Sequence, residues 1–362
     1  DLGLNNYDLS ISLTIFYVTY AAMKIPSNLA VKQFGSSWIA FLIISAGGVS
    51  FATAFTTNAT GLLLTRIFLG TVEGGIGGII TIGIGLLGLV FLPSDPSNTR
   101  LLTSSERALA IQRIDQDSVV ATGGQREKPT FKLVMRSFNI WTCLCTICFL
   151  LLNISYQGLT VFLPTILSEG ASKTQLWVVP IYICGAVWAL LSSWVSFRWK
   201  NRMIPTLIGC AFHVIGYSMA LSTSTFPLRY AGCVITYMGG SSAESWPSSH
   251  LPVKFMTWAT DNAAPDTMRA VVSAAIPGLG ALGSVVGMWI FVPSEAPRFR
   301  LGNLINLAAG VAMVLATLFG ALYLHKENIK RDRGERDDRL SGKGQEEIRS
   351  LGYRHPSFRY QL

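Results

Sequence analysis

The chain has 362 residues, of which 50% are hydrophobic and only 14% are charged. Soluble domains carry about 25% charged residues, so this composition excludes a disordered chain, a collagen-like chain and a small disulfide scaffold, and it argues against a soluble enzyme. The formal net charge of +9 does not indicate nucleic-acid binding. Lysine and arginine gather in short loops and in the tail, as the positive-inside rule expects of a protein in a lipid bilayer.

The hydrophobic residues come in long blocks. Because about 20 apolar residues of helix span a bilayer core, each block is long enough for a membrane crossing. Helices also satisfy their own backbone hydrogen bonds in lipid. The sequence therefore predicts an all-α multi-pass membrane protein with about nine spans. The blocks lie near residues 10–31, 37–56, 61–92, 138–166, 174–196, 203–223, 229–250, 270–292 and 302–324.

A polar connector divides the blocks into two sets, and a long basic connector of this kind is typical of two-bundle transporters. The sequence predicts a first helix bundle over 1–93, a cytoplasmic central loop over 94–137, a six-helix bundle over 138–324 and a cytoplasmic tail over 325–362. The basic tail places the C-terminus in the cytoplasm. The chain begins with Asp1 rather than Met, which indicates a fragment or a gene model without its start.

The six cysteines all lie inside apolar blocks. Cys145 and Cys148 share a helical face, whereas Cys143 does not, and no histidine or acid lies close to them in the sequence. Inert membrane cysteines are therefore favoured over a metal cluster, and neither a disulfide framework nor a metal site is predicted.

Several stretches resemble one family when their order and spacing are taken together. Arg66 to Gly74 resembles the start of its fourth helix, Asn153 to Ile166 its seventh helix, and Ser294 to Arg300 the junction of its last two helices. The ending His355 to Tyr360 is also typical of it. The chain resembles the fungal allantoate permease family, the anion:cation symporters of the major facilitator superfamily.

This resemblance implies two bundles of six helices in the plasma membrane. It implies secondary transport of a small organic anion, such as a carboxylate, a ureide or a vitamin like nicotinate or pantothenate, together with protons and without a cofactor. Against the family pattern, the chain begins after helix one, and block 61–92 runs from the start of helix four to the end of helix six. We therefore expect an incomplete first bundle. The alternative is a non-transporting remnant, or a regulatory or binding partner of a full-length relative.

Polar residues inside spans are the candidate site residues, because a charge at mid-membrane costs about 2.5–3.5 kcal/mol. Arg66 and Glu73 are seven residues apart and share a helix face, which suits an anion-binding or gating pair; alternatively Arg66 reaches the outer interface and Glu73 supports packing. Neutral hydrogen-bonding side chains inside the spans are suited to contact a small polar substrate. The candidate substrate contacts are Asn153, Tyr156, Gln157 and, more weakly, Tyr182.

Two titratable residues are candidates for proton coupling. Glu244 could carry a proton, or it could be an exposed residue in a serine-rich segment; His213 could titrate, or it could be a packing residue. A basic loop of Arg198, Lys200 and Arg202 resembles the superfamily's gating loop, with simple cytoplasmic anchoring as the alternative.

Other classes of membrane protein have little support in the sequence. It contains neither an H-E-x-x-H motif nor a nucleophile elbow, which argues against an enzyme, and it has no filter-like repeat of a channel. Substrate identity and oligomeric state stay open at this point.

Overall fold

The computed structural model describes residues 8–34, 36–53, 55–56, 58–72, 103–106, 108–109, 112, 131–167, 171–199, 201–222, 225–241, 254–295, 298–342, 344, 347–348 and 351–362. Regular structure within these ranges is helical, which confirms the all-α prediction. The α-helices are α1 (Asp8–Phe34), α2 (Ser36–Thr53), α3 (Ala59–Val72), α4 (Phe131–Ser137), α5 (Ile140–Ile166), α6 (Ala171–Trp199), α7 (Met203–Ser222), α8 (Phe226–Ser241), α9 (Lys254–Asp261), α10 (Asp266–Gly280), α11 (Leu282–Ile290) and α12 (Arg300–Asp332).

Five described stretches are long and apolar enough to cross a membrane: Ile140–Ile166, Leu176–Trp199, Met203–Ser222, Thr267–Ile290 and Arg300–Asp332. Shorter apolar helices lie at Ser10–Met23, Ala40–Thr53 and Thr60–Leu69. Large apolar side chains on α6, such as Leu176, Ile183, Leu190 and Phe197, are exposed on the protein surface. A patch of this size is favourable only against lipid or another apolar surface. The chain is an integral membrane protein.

The chain divides into two compact units. Unit 1 comprises Asp1–Phe138, Asn262–Gly278 and Glu327–Arg359, and unit 2 comprises Asn139–Asp261, Leu279–Lys326 and Tyr360–Leu362. The four sequence regions predicted above remain a prediction, as does the continuous span over 61–92, which lies largely outside the described residues.

In unit 1, side-chain caps begin the short helical segments. Asn58 precedes α3, and its Oδ1 accepts a hydrogen bond of 2.7 Å from the backbone N–H of Gly61. Farther along, the Thr103 backbone N–H donates to Glu106 Oε2 at 2.9 Å, and the Glu106 N–H faces Thr103 Oγ1 at 3.4 Å. This reciprocal pair is a capping box. The Thr103 hydroxyl also donates to Glu106 Oε2 at 2.7 Å, and the two hydrogen bonds that the carboxylate accepts from Thr103 lower the pKa of Glu106.

The tail of unit 1 folds back against other parts of the same unit. Arg331 is only 4% exposed, and it donates to the backbone oxygens of Phe358 at 2.6 Å and Tyr353 at 3.0 Å. The Tyr353 N–H donates to the Ala264 carbonyl at 3.0 Å, and Arg136 donates to the Leu351 carbonyl. Charged donors make strong hydrogen bonds when buried. The described part of the tail is therefore an ordered part of the fold.

Unit 2 is built around α5. Asn139 caps this helix by accepting a 2.9 Å hydrogen bond from the Thr142 N–H. Buried side chains recur along α5 at intervals of three or four residues, so one continuous face of the helix is enclosed. The members of this stripe include Trp141, Cys145, Cys148, Leu152, Tyr156, Leu159, Leu163 and Ile166.

Glycines allow the helices of unit 2 to approach closely. A Cβ atom added at Gly283 would lie 2.2 Å from the Leu150 carbonyl oxygen, and one at Gly287 would lie 2.5 Å from that of Ile154. Both distances are shorter than real Cβ contacts, so α11 packs directly on the backbone of α5. Small residues four apart serve this purpose in membrane helices, where backbone contact replaces the hydrophobic driving force available in water.

Candidate functional site

Asn153 lies in the middle of α5 and is 3% exposed. Its Nδ2 donates to the Phe149 carbonyl at 2.9 Å, one turn earlier in the same helix. Its Oδ1 accepts a hydrogen bond of 3.1 Å from the Ser284 hydroxyl of α11. The amide keeps a further donor hydrogen and acceptor lone pair, because each amide group has two of each. The Asn153 amide therefore keeps hydrogen-bonding capacity beyond its two structural hydrogen bonds.

Three tyrosine rings form a continuous row in unit 2, which we call the tyrosine row. Tyr156 of α5 lies 5.0 Å from Tyr237 of α8, and Tyr237 lies 4.9 Å from Tyr182 of α6, measured between ring centroids. Tyr156 and Tyr237 are each 8% exposed, whereas Tyr182 is 37% exposed. The row thus runs from the interior to the surface of the unit. Gln157, the next residue on α5, is partly buried.

A second polar cluster lies farther inside unit 2. His213 is fully buried, and its ring centroid lies 5.1 Å from that of Tyr217 on the same helix. Neither ring nitrogen makes a well-formed hydrogen bond, and the backbone of Thr236 is the polar group beside the ring. The Tyr217 hydroxyl donates to the Ser155 carbonyl at 2.7 Å. Asn306 of α12 is fully buried next to Tyr217, and its amide atoms are not well paired.

In unit 1, Arg66 lies on the apolar helix α3 and is partly buried. Its Nε atom is inaccessible to solvent and has no hydrogen-bond partner among the described residues. An unsatisfied buried donor of a charged group is costly, so this atom is suited to receive an acceptor from a ligand. Glu73, its predicted partner, and Glu244, the predicted proton carrier, both lie outside the described residues.

The predicted gating loop joins α6 to α7. Arg198 is exposed at the end of α6, and Lys200 lies outside the described residues. Arg202 Nε forms an ion pair with Asp261 Oδ2 at 3.2 Å, and Arg202 Nη1 donates to Ser196 Oγ at 3.1 Å. These contacts tie the start of α7 to the ends of α6 and α9. The geometry gives Arg202 a structural contact that holds the ends of three helices together.

The cysteines are all free thiols, and the described residues contain no group of three or more metal-ligating side chains. Sequence reasoning missed four members of the polar clusters: Tyr217, Tyr237, Ser284 and Asn306. Asn306 had a usable signal, since it is an amide in the apolar part of α12, where polar residues are costly. The other three are common in membrane helices and gave no comparable signal.

The fold and its polar interior can be set beside known proteins. A family model described as the Major Facilitator Superfamily matches residues 75–288. The chain belongs to the major facilitator superfamily. Its matched relatives are transporters, and the protein is a transporter rather than an enzyme.

Relatives in sequence are fungal. The chain is 25% identical over 391 residues to the MFS transporter prlL of a fungal species (strain NRRL 50135), a match that covers 89% of this chain and 76% of the relative. It is 22% identical over 305 residues to the allantoate permease of Saccharomyces cerevisiae, covering 79% of this chain and 54% of the permease.

Among solved structures, the chain is similar to the major facilitator proton:xylose symporter XylE bound to 6-bromo-6-deoxy-D-glucose. The superposition has a TM-score of 0.62 at 13% sequence identity, and it covers 88% of this chain and 87% of the symporter. At this identity the likeness supports the fold, and it confirms that the helices of this chain follow the major facilitator arrangement.

Proposed function

We propose that this major facilitator chain is a secondary active transporter of a small organic anion, coupled to protons and working by alternating access in the plasma membrane with its C-terminus in the cytoplasm. In this proposal Asn153, Tyr156, Gln157 and Tyr182 contact the substrate, and Arg66 with Glu73 attracts or gates the anion. His213 and Glu244 are the proposed proton carriers. Arg198, Lys200 and Arg202 form the cytoplasmic gating loop.

The observation that carries this proposal is the free hydrogen-bonding capacity of Asn153 beside the tyrosine row. Substrate pockets combine mostly apolar or aromatic walls with a few placed polar groups, and unit 2 offers that combination on α5, α6 and α8. A positively charged Arg66 with an unpaired Nε supplies the sign of charge that an organic anion requires.

Proton coupling is supported by His213, because it is the titratable residue most fully enclosed in the described part of α7 and is not held by a well-formed hydrogen bond. Histidine changes charge near physiological pH, so modest changes in its surroundings during a transport cycle alter its proton occupancy. The allantoate permease of S. cerevisiae and the proton:xylose symporter XylE are respectively consistent with the anionic substrate and the proton coupling.

The alternative is a remnant that does not transport but binds or regulates a full-length relative. It rests on the resemblance described above, in which the run from Arg66 to Leu92 joins the start of helix four to the end of helix six.

Transport by the purified chain tests the first proposal. The protein would be reconstituted in liposomes, and uptake of radiolabelled nicotinate, pantothenate and allantoate would be followed under an inward proton gradient, with and without a protonophore. We expect uptake of at least one anion that the protonophore abolishes. Arg66→Gln and Asn153→Ala should each lower uptake about tenfold, because a hydrogen bond to a charged group is worth about 1.5–3 kcal/mol.

Two controls separate a site effect from a folding effect. Arg333→Gln removes the same charge from a side chain that is 70% exposed, and Thr160→Val removes a hydroxyl of α5 that bonds only within its own helix, to the Tyr156 carbonyl at 2.9 Å. Both should transport normally. Uptake that resists the protonophore would refute proton coupling. A folded protein that takes up none of the anions, but copurifies with a full-length relative, would support the remnant instead.

A further inference from the structure

A small pocket in unit 2 is lined by two arginines. Arg229 lies in the first turn of α8, and Arg298 lies just before α12. Tyr217, Thr236 and Asn303 complete its polar lining. The cavity volume is about 10 Å³, which is enough for one group of the size of a water molecule or a halide ion.

Both arginines lack a carboxylate partner among the described residues. No described acid lies within 4.0 Å of either guanidinium group. The ion pairs among the described residues all involve other arginines. Glu295, three residues before Arg298 in the sequence, accepts a hydrogen bond of 2.9 Å at its Oε2 from the Leu301 N–H. Arg229 Nε is inaccessible to solvent and has no hydrogen-bond partner in the part of the chain that the structure describes. Its guanidinium carbon lies 5.9 Å from the Phe226 ring centroid.

The surroundings add positive potential instead of neutralising it. Arg229 and Asn303 each lie in the first turn of a helix, where the macrodipole is positive and a cation is disfavoured. Two like charges beside one small cavity also repel each other. Asn303 Nδ2 donates to the Arg298 carbonyl at 2.9 Å, which fixes the loop that carries Arg298 at the edge of the pocket. A negative charge in the cavity would offset all of these unfavourable terms.

We propose that Arg229 and Arg298 bind one small anionic group here, either a chloride ion inside the pocket or the phosphate of a lipid head group at its mouth, beside the exposed Arg298. The site is independent of the transport substrate proposed above, because it uses Arg229, Arg298 and Asn303 rather than Asn153 and the tyrosine row. Its occupation stabilises unit 2 by joining the starts of α8 and α12 through one shared counter-charge.

Thermal unfolding of the full chain tests this site. The protein would be purified in dodecyl maltoside, and its Tm would be compared in sodium chloride and sodium gluconate at equal ionic strength. In a second arm, phosphatidic acid would be added in gluconate. We expect chloride, phosphatidic acid or both to raise the Tm by about 2–4 °C, because a ligand that binds only the folded state stabilises it. The arm that responds identifies the source of the anionic group.

Variants decide whether the effect belongs to the pocket. The Tm shift should disappear in Arg229→Gln and in Arg298→Gln, and it should persist in Arg333→Gln, which removes an exposed positive charge elsewhere. Arg298 is exposed, so R298Q is expected to fold even if R229Q does not. An equal Tm in gluconate, chloride and phosphatidic acid would overturn the proposal, and so would a shift that survives in R298Q.

Discussion

Single polar residues inside unit 2 differ in how completely their hydrogen bonds are formed. Tyr217 is 1% exposed, and its hydroxyl reaches the Ser155 carbonyl at 2.7 Å. His213 and Asn306 lie beside it without well-formed hydrogen bonds of their own. Buried polar groups without partners are uncommon and are enriched where ligands, ions or protons bind. Tyr217 is therefore the structural member of the cluster, and its two neighbours are the functional candidates.

Tyr217→Phe is predicted to lower the free energy of unfolding by about 1 kcal/mol, because one buried hydrogen bond is lost while the ring still fills its space. The measurement is the Tm in detergent. Tyr230→Phe is the matched control, since its hydroxyl donates to the Trp177 carbonyl at 3.1 Å in an exposed position, where water can replace the lost partner. Equal Tm losses in the two variants would contradict this assignment.

At the scale of helices, the close contact between α5 and α11 depends on glycines, which place no side chain between the two backbones. Gly283 and Gly287 bring α11 against carbonyl oxygens of α5, and the Gly287 carbonyl in turn lies 2.7 Å from where a Cβ of Gly158 would be. The same kind of contact joins α7 to α8 at Gly216 and Gly232. Bundles in lipid are stabilised by such close packing, because lipid tails compete equally for apolar side chains.

Gly287→Leu is predicted to prevent α11 from packing on α5 and to abolish the monodisperse peak in fluorescence-detected size-exclusion chromatography. Even the single Cβ of alanine would lie 2.5 Å from the Ile154 carbonyl oxygen, and backbone cannot move aside cheaply. The control is Gly48→Ala on α2, where an added Cβ has no atom within 4 Å. A monodisperse G287L protein would show that the α5–α11 contact is more adaptable than its geometry indicates.

Hydropathy predicted most of the described helices well because they are apolar, and for the same reason it missed the charged end of a helix. The blocks 138–166 and 203–223 correspond closely to α5 and α7, since both helices are apolar from end to end. Block 302–324 corresponds to α12, which continues to Asp332. A helix of 33 residues is about 50 Å long and exceeds a bilayer core of about 30 Å. Its charged last turns carry no hydropathy signal, so the sequence assigned them to the tail.

At the scale of the whole molecule, the sequence indicated the family more securely than the site. The resemblance to the family rests on many short sequence matches along the chain, which are weak singly and informative together. A site depends on which side chains meet, as those of Asn153 and Ser284 do although they are 131 positions apart in the sequence. The periodicity of apolar residues in the sequence does not predict such a long-range side-chain contact. The sequence likewise predicted only a basic cytoplasmic tail and gave no sign that Arg331 binds the backbone of residues 353 and 358.

Docking of the tail is predicted to weaken in acid. Partial burial, and secondarily the positive charge of Arg331, lower the pKa of His355 from its ordinary value of 6.5. The Nδ1 atom of His355 also accepts a hydrogen bond of 3.2 Å from the Ser357 N–H, which requires a neutral ring nitrogen. A released tail therefore binds more protons than a docked one, so this stabilisation is complete above about pH 6.5 and is lost as the pH falls below it.

Limited proteolysis measures this effect. Cleavage within 351–362 should be faster at about pH 5.5 than at about pH 7.5, and His355→Gln should remove most of the difference because glutamine does not titrate. A His325→Gln variant, which removes a histidine of α12 instead, controls for the loss of a histidine outside residues 351–362. A cleavage rate that does not change with pH, or that changes equally in H355Q, would refute a role for this residue.

The close contact of Gly283 and Gly287 with α5 limits which mutations the gene can tolerate at these two positions. Glycine codons all begin with two guanines, so a single-base change at either position replaces glycine with alanine, valine, serine, cysteine, arginine, tryptophan, aspartate or glutamate, or ends the chain. Each replacement residue adds at least the Cβ that Gly283 and Gly287 exclude. Any amino-acid change at these two codons is therefore expected to be deleterious wherever the protein is needed, and natural variation at both positions should be confined to silent third-base changes.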